Sequence, residues 1–181
     1  GQGTAKNLKD AAKWYKKSAE QGFTCAQFEL GLIYAHEKGT PKNYKEAVKW
    51  FKKAVEKSKS PDSLIDIVEE GIYDKCILNA KYNLGLMHDN GKGVLKNHKE
   101  AVRWYKKAAK QSLAEEKENF KSNKIFIQRL WREGGLLLDE HLSEIETAAS
   151  IYHNLAKKYY HGEGVLKDNK KASSWFLKAA E

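Results

Sequence analysis

The chain has 181 residues, 41% of them apolar and only 2 of them proline, which is enough for a real core in one or two domains and excludes a proline-rich linker. Its longest apolar runs are a few residues, such as Leu136 to Leu138, so no segment reads as a membrane-spanning helix. Two cysteines exclude a disulfide framework and a four-cysteine zinc site, and the net charge of +9 is nearly all lysine, with arginine only at Arg103, Arg129 and Arg132. That balance argues against nucleic acid, whose surfaces favour the arginine fork.

The chain repeats itself. Residues 1–22 (GQGTAKNLKDAAKWYKKSAEQG) match 91–112 (GKGVLKNHKEAVRWYKKAAKQS) at 12 positions without a gap, and two further copies lie at 37–58 and 162–181. Their tryptophans, Trp14, Trp50, Trp104 and Trp175, are 36, 54 and 71 residues apart. The first spacing is one unit and the second is one unit plus an 18-residue insertion. The third falls one short of two units.

In chain order, 1–22 reads as the second helix of a cut unit, and the chain also ends inside a second helix. A full unit follows at 23–58. Its first helix carries AQFELGLIY at 26–34, and Thr24 with Gln27 fits a capping pair. Its second helix repeats Ala47, Trp50, Phe51 and Ala54 on one face, behind a capping box of Asn43 and Glu46. Residues 59–78 hold Pro61 and five acids against two lysines up to Lys75, and are predicted to form a short extra helix.

The unit at 79–112 repeats the pattern, with AKYNLGLMH at 80–88, Asn97 with Glu100 as cap, and Ala101, Trp104, Tyr105 and Ala108 as the apolar face. Gly39, Gly93 and Gly164 fall just past first helices, where a left-handed residue is required. Residues 113–149 read as a degenerate repeat, with a long insertion as the alternative. Phe120, Ile127, Leu130 and Trp131 make a helical stripe there, broken by Gly134 and Gly135. From Leu136 to Tyr160 one long helix or two abutting ones fit, with Ser143 and Glu146 able to start the second. The last unit spans 150–181. One such hairpin cannot bury its own apolar face and stacked hairpins can. The fold class expected is therefore all-α, an α/α superhelical solenoid of antiparallel helix pairs forming one repeat domain over 1–181.

The succession A-x-x-x-L-G-x-x-Y, G-x-G-V and A-x-x-W-(Y/F)-x-K-A-A resembles the Sel-one-like repeat family, relatives of the tetratricopeptide repeat. The match is closest over Ala26 to Ala54 and Ala80 to Ala109, and looser over Ile151 to Ala180, where Ala156 stands for the glycine and Ile151 for the alanine. The resemblance implies a right-handed superhelix whose first helices line a concave face. It also implies an adaptor, scaffold or effector module, often in bacterial signalling or host interaction, that is not an enzyme and needs no cofactor.

On the first helices, Ala26, Leu30 and Tyr34 make one face, and Phe28, Leu32 and His36 lie nearly opposite. The expected function is protein–protein binding, with a partner peptide or helix held along the concave face. Its candidate residues are Phe28, Leu32, His36, Asn79, Tyr82, Leu86, Asn90, His153, Lys157 and His161. The alternative is a basic outer face, with Lys13, Lys16, Lys17, Lys49, Lys52, Lys53, Lys106 and Lys107 holding nucleic acid or an anionic membrane surface. The G-x-G turns lack the strand and the Lys-Ser/Thr of a phosphate loop, and the six histidines lack metal-ligand spacing, so no catalytic or metal residue is expected. Cys25 and Cys76 lie about one and a half units apart, beyond expected disulfide reach, which favours a reducing compartment.

Overall fold

The computed structural model describes residues 7–36, 41–56, 66–114 and 139–180. The helices are α1 (Leu8–Glu20), α2 (Thr24–His36), α3 (Tyr44–Val55), α4 (Asp66–Asn90), α5 (residues 98–114), α6 (Asp139–His161) and α7 (Asn169–Ala180). No strand occurs among the described residues. The chain divides within α5 into two compact units, Gly1–Trp104 and Tyr105–Glu181. The expectations for Gly39, Pro61, the stripe from Phe120 to Trp131 and the two glycines after it lie outside the described residues.

The expected caps form, but only in part. The Asn43 side chain accepts from the Glu46 N–H at 3.1 Å, and Asn97 accepts from Glu100 at 3.0 Å. The return half of each box is replaced. The Asn43 and Asn97 N–H groups donate to the carbonyls of Tyr34 and His88, each at 2.8 Å. These bonds close the loop between first and second helix, so the cap N–H has no need of the acid. Gln27 also departs from expectation. Its side chain does not cap its own helix but donates to the Ala19 carbonyl at 3.2 Å, covering the end of α1.

Both glycines of the turns at 91–93 and 162–164 are left-handed. Gly91 (φ 68°) is the residue that ends α4, with the Lys92 N–H returning to the Met87 carbonyl at 2.9 Å. Gly93 is left-handed as expected (φ 74°), and it has a second reason to be glycine. A Cβ there would run into the Tyr44 carbonyl at the start of α3, so only glycine lets the turn lie against that backbone.

Where they are described, residues 66–78 and 139–149 extend the first helices that follow them. The residues before Asn79 are continuous with the next first helix, and α4 runs for 25 residues. A separate short helix was expected there. α4 contains no proline and two glycines, Gly71 and Gly85, and each glycine costs a helix only about 1 kcal/mol. Likewise α6 passes through Ser143 without a break and runs for 23 residues.

In the first unit α2 is the centre, touching α1, α3 and α4. Trp50 is 5% exposed and packs with Ala19 of α1 and Ala26 and Leu30 of α2. Phe51 is fully buried with Phe28, Ala47, Ala54, Ala80, Leu84 and Met87. The alanines bring the helix backbones close enough for these rings to interlock. In the second unit α6 packs on α7 through Tyr152 and Trp175, whose ring centroids are 5.6 Å apart. Lys158 stands where α2 has Ile33 and α4 has Met87. It is buried, and its ammonium meets the Glu163 carboxylate at 2.7 Å.

His88 gives the first unit a pH dependence. Its Nδ1 is buried with no hydrogen-bond partner among the described residues. Burial holds the imidazole below its ordinary value; Glu100 opposes this and Lys52 adds to it. Below about pH 6.5 the unfolded chain takes up a proton that the folded ring still refuses. Stability is therefore full above that pH and falls as pH drops through the lower folded value. Urea midpoints measured at about pH 7.5 and about pH 5.5 should show a fall that His88→Gln reduces.

Candidate partner-binding face

First helices α2 and α4 are neighbours. Along α2, Cys25, Glu29, Leu32 and His36 follow one stripe at three- and four-residue steps, and along α4 so do Cys76, Asn79, Asn83, Leu86 and Asn90, with Tyr82 beside them. All ten are at least partly exposed. At one end the two stripes are joined covalently. Cys25 and Cys76 form a disulfide across 51 residues, with Cα atoms 5.3 Å apart.

The expectation that these cysteines lie out of reach is thus corrected. Separation was counted along the chain, whereas neighbouring first helices lie side by side, and the insertion between them extends α4 back past the start of α2. Disulfides persist in oxidising compartments, so the argument for a reducing one loses its basis.

Phe28 is not an anchor on this face. It is 8% exposed and packs on Phe51, with ring centroids 6.0 Å apart. The second apolar side of α2 is covered largely by α3 and α4 and not by a partner. Leu32 stays partly exposed at the edge of that core, and Tyr82 and Leu86 are also partly exposed. His36 is exposed at the end of α2. Asn79 accepts through its carbonyl from the Asn83 side chain at 2.9 Å, and the Asn90 amide donates to the Leu86 carbonyl at 2.9 Å. Cys25, Glu29 and Asn83 belong to the face and were missed. The signal was present, since each follows from stepping three or four residues from an expected one.

In the second unit His153, Lys157 and His161 are all exposed along α6. His153 meets the edge of Phe176 at 5.5 Å, and His161 meets Tyr160 at 5.0 Å. They form a polar counterpart of the Tyr82, Leu86 and Asn90 positions.

The basic outer face is partly neutralised. Lys13 pairs with Asp10 at 3.4 Å, Lys49 with Glu46 at 3.5 Å and Lys16 with Glu20 at 4.0 Å. Lys17 and Lys53 lie over the rings of Trp14 and Trp50 at 4.6 and 4.3 Å. Exposed pairs of this kind contribute little to stability but lower the charge offered to a polyanion. Among the described residues no helix is long and apolar enough to cross a membrane.

The repeat geometry has counterparts among known proteins. The Sel1 repeat matches residues 1–23, 26–59, 78–113 and 151–181, more than half of the chain. The crystal structure of a Sel1 repeat protein from Oxalobacter formigenes superposes with a TM-score of 0.58 at 25% identity, covering 93% of this chain and 88% of that one. A protective antigen present in uropathogenic Escherichia coli strains, which displays an SLR fold, is 30% identical with a TM-score of 0.44; the likeness covers 93% of this chain but only 32% of the antigen. Comparison with curated protein sequences gives no match. With four matched segments, each ending in the tryptophan-bearing second helix, and an α/α solenoid fold shared with a solved relative, the chain belongs to the Sel1 repeat family.

Proposed function

We propose that this chain is a protein-interaction scaffold whose α2–α4 face holds a helix or peptide of a partner protein. The supporting observation is the composition of that face. Leu32, Tyr82 and Leu86 offer apolar and aromatic surface, flanked by Glu29, Asn79, Asn83, Asn90 and His36. Apolar anchors inside a polar surround are the usual makings of a peptide-holding groove. The disulfide fixes the two helices in register, which lowers the ordering cost of binding. The scaffold reading needs no catalytic residues.

The test is capture of partner proteins from lysate by the wild-type chain and by Tyr82→Ala/Leu86→Ala. Both side chains are partly exposed, so helicity by circular dichroism should survive. A partner held by this face should lose more than tenfold in affinity, about 1.4 kcal/mol or more. Unchanged affinity in a folded double variant would remove the face from the account. The outer lysines are tested in parallel, since binding to a polyanion would fall steeply with salt.

A further inference from the structure

We infer that the second unit carries a separate docking groove, between the end of α5 and α7, for an acidic peptide segment bearing a large apolar side chain. The groove encloses about 420 Å³, within the range of known ligand sites, and is lined by Lys106, Ala109, Lys110, Leu113, Ala114 and Trp175. It lies on second helices, so it is distinct from the α2–α4 face.

Its origin is a failed turn. Aligned on the tryptophans, Ser112 of α5 stands where the first unit has Gly22. Gly22 (φ 101°) ends the run of α1 and sends the chain back into α2. Ser112 continues the helix through residue 114 and is itself buried, accepting a hydrogen bond from the Tyr152 hydroxyl at 3.0 Å. The extra turn projects Leu113 and Ala114 alongside α7, making a wall that the first unit lacks. The consequence shows at the tryptophans. Trp50 is 5% exposed against Ala19, whereas Trp175, facing the equivalent Ala109, is only half-buried and leaves open space over its ring.

The charge at the rim selects the occupant. Lys106 and Lys110 are both exposed, and neither makes a salt bridge with a carboxylate among the described residues. Lys106 rests 5.4 Å over the Tyr159 ring, which Lys171 also approaches at 5.7 Å, so positive charge gathers on this side of the groove. An apolar floor of Trp175, Leu113 and the two alanines beneath two ammonium groups suits an aromatic or leucine side chain with carboxylates beside it.

The experiment is calorimetric titration with an acetylated hexapeptide, Glu-Glu-Leu-Phe-Asp-Glu, and with the same peptide carrying Ser for Leu and Phe. The wild type should bind the first at least tenfold more tightly than the second. Lys110→Glu and Ala114→Trp should each weaken binding at least tenfold. Ala114 is exposed on the extra turn, so a tryptophan there covers the groove without entering the core, and thermal melting confirms that each variant folds. Lys110→Glu stands as the test should Ala114→Trp melt early. No binding by the wild type, or binding that survives in folded variants, overturns the proposal. Self-association that Ala114→Trp abolishes, without peptide binding, would assign the groove to a second copy and equally overturn it.

Discussion

Breaking the Cys25–Cys76 link should cost the first unit about 4 kcal/mol, the loop-closure entropy that a bridge across roughly 50 residues removes from the unfolded chain. Few single changes in a small domain approach this, because the whole margin of stability is only about 5–15 kcal/mol. The bridge encloses nearly all of α2, the whole of α3 and the start of α4, so opening it frees the unfolded chain without removing any core ring. Urea unfolding with and without reductant, and of Cys25→Ser/Cys76→Ser, should show the same lowered midpoint. A double-serine variant that responds further to reductant, or one with the wild-type midpoint, would contradict the effect.

The second large effect concerns the pairing of Gly31 and Phe51. Phe51→Ala should cost about 3–5 kcal/mol, the usual loss for an aromatic ring removed from a packed core. The ring is fully buried, and it presses on Gly31 so closely that a Cβ there would stand 2.5 Å from its Cε1 and 2.6 Å from its Cδ1. With Phe28, Leu84 and Met87 in the same cluster, the ring has little room to retreat. Gly31→Ala should therefore cost about 1–3 kcal/mol by overpacking. Replacing the ring by leucine relieves that clash, so Gly31→Ala/Phe51→Leu should be more stable than the sum of the single losses implies, by at least about 1 kcal/mol. Additive losses in chemical denaturation would mean that the two residues do not touch.

What the sequence revealed follows from periodicity. The second-helix face of Ala47, Trp50, Phe51 and Ala54 emerges as buried, because the three- and four-residue spacing names the side that must leave water. The caps at Asn43 and Asn97 were legible for the same local reason. The first helices were harder. Buried residues fall all around α2, so no polar side marks which apolar residue is core and which is surface. Phe28 was assigned to the surface on that account. Only the position of α4 against α2, a contact between units, settles it.

The cysteine pair was hidden by a similar non-local relation. Removing the 18-residue insertion from the 51-residue separation leaves just under one 36-residue unit, the spacing of neighbours in a stack. The repeat spacing contained this, but only once the insertion was recognised as lengthening α4 at its start. The buried Lys158 shows the opposite limit. Its burial at a core position rests on the Glu163 carboxylate beside it, a pairing that helical periodicity does not mark.

First helices α2 and α4 lie side by side and present one joint face. Peptide mapping by mass spectrometry, on protein purified without reductant and digested without reduction, tests this most directly. The fragment containing Cys25 should be covalently joined to the fragment containing Cys76, and should separate from it on reduction. Two free thiols in folded, air-oxidised protein would show that α2 and α4 do not meet, and the face built on them would go with that contact.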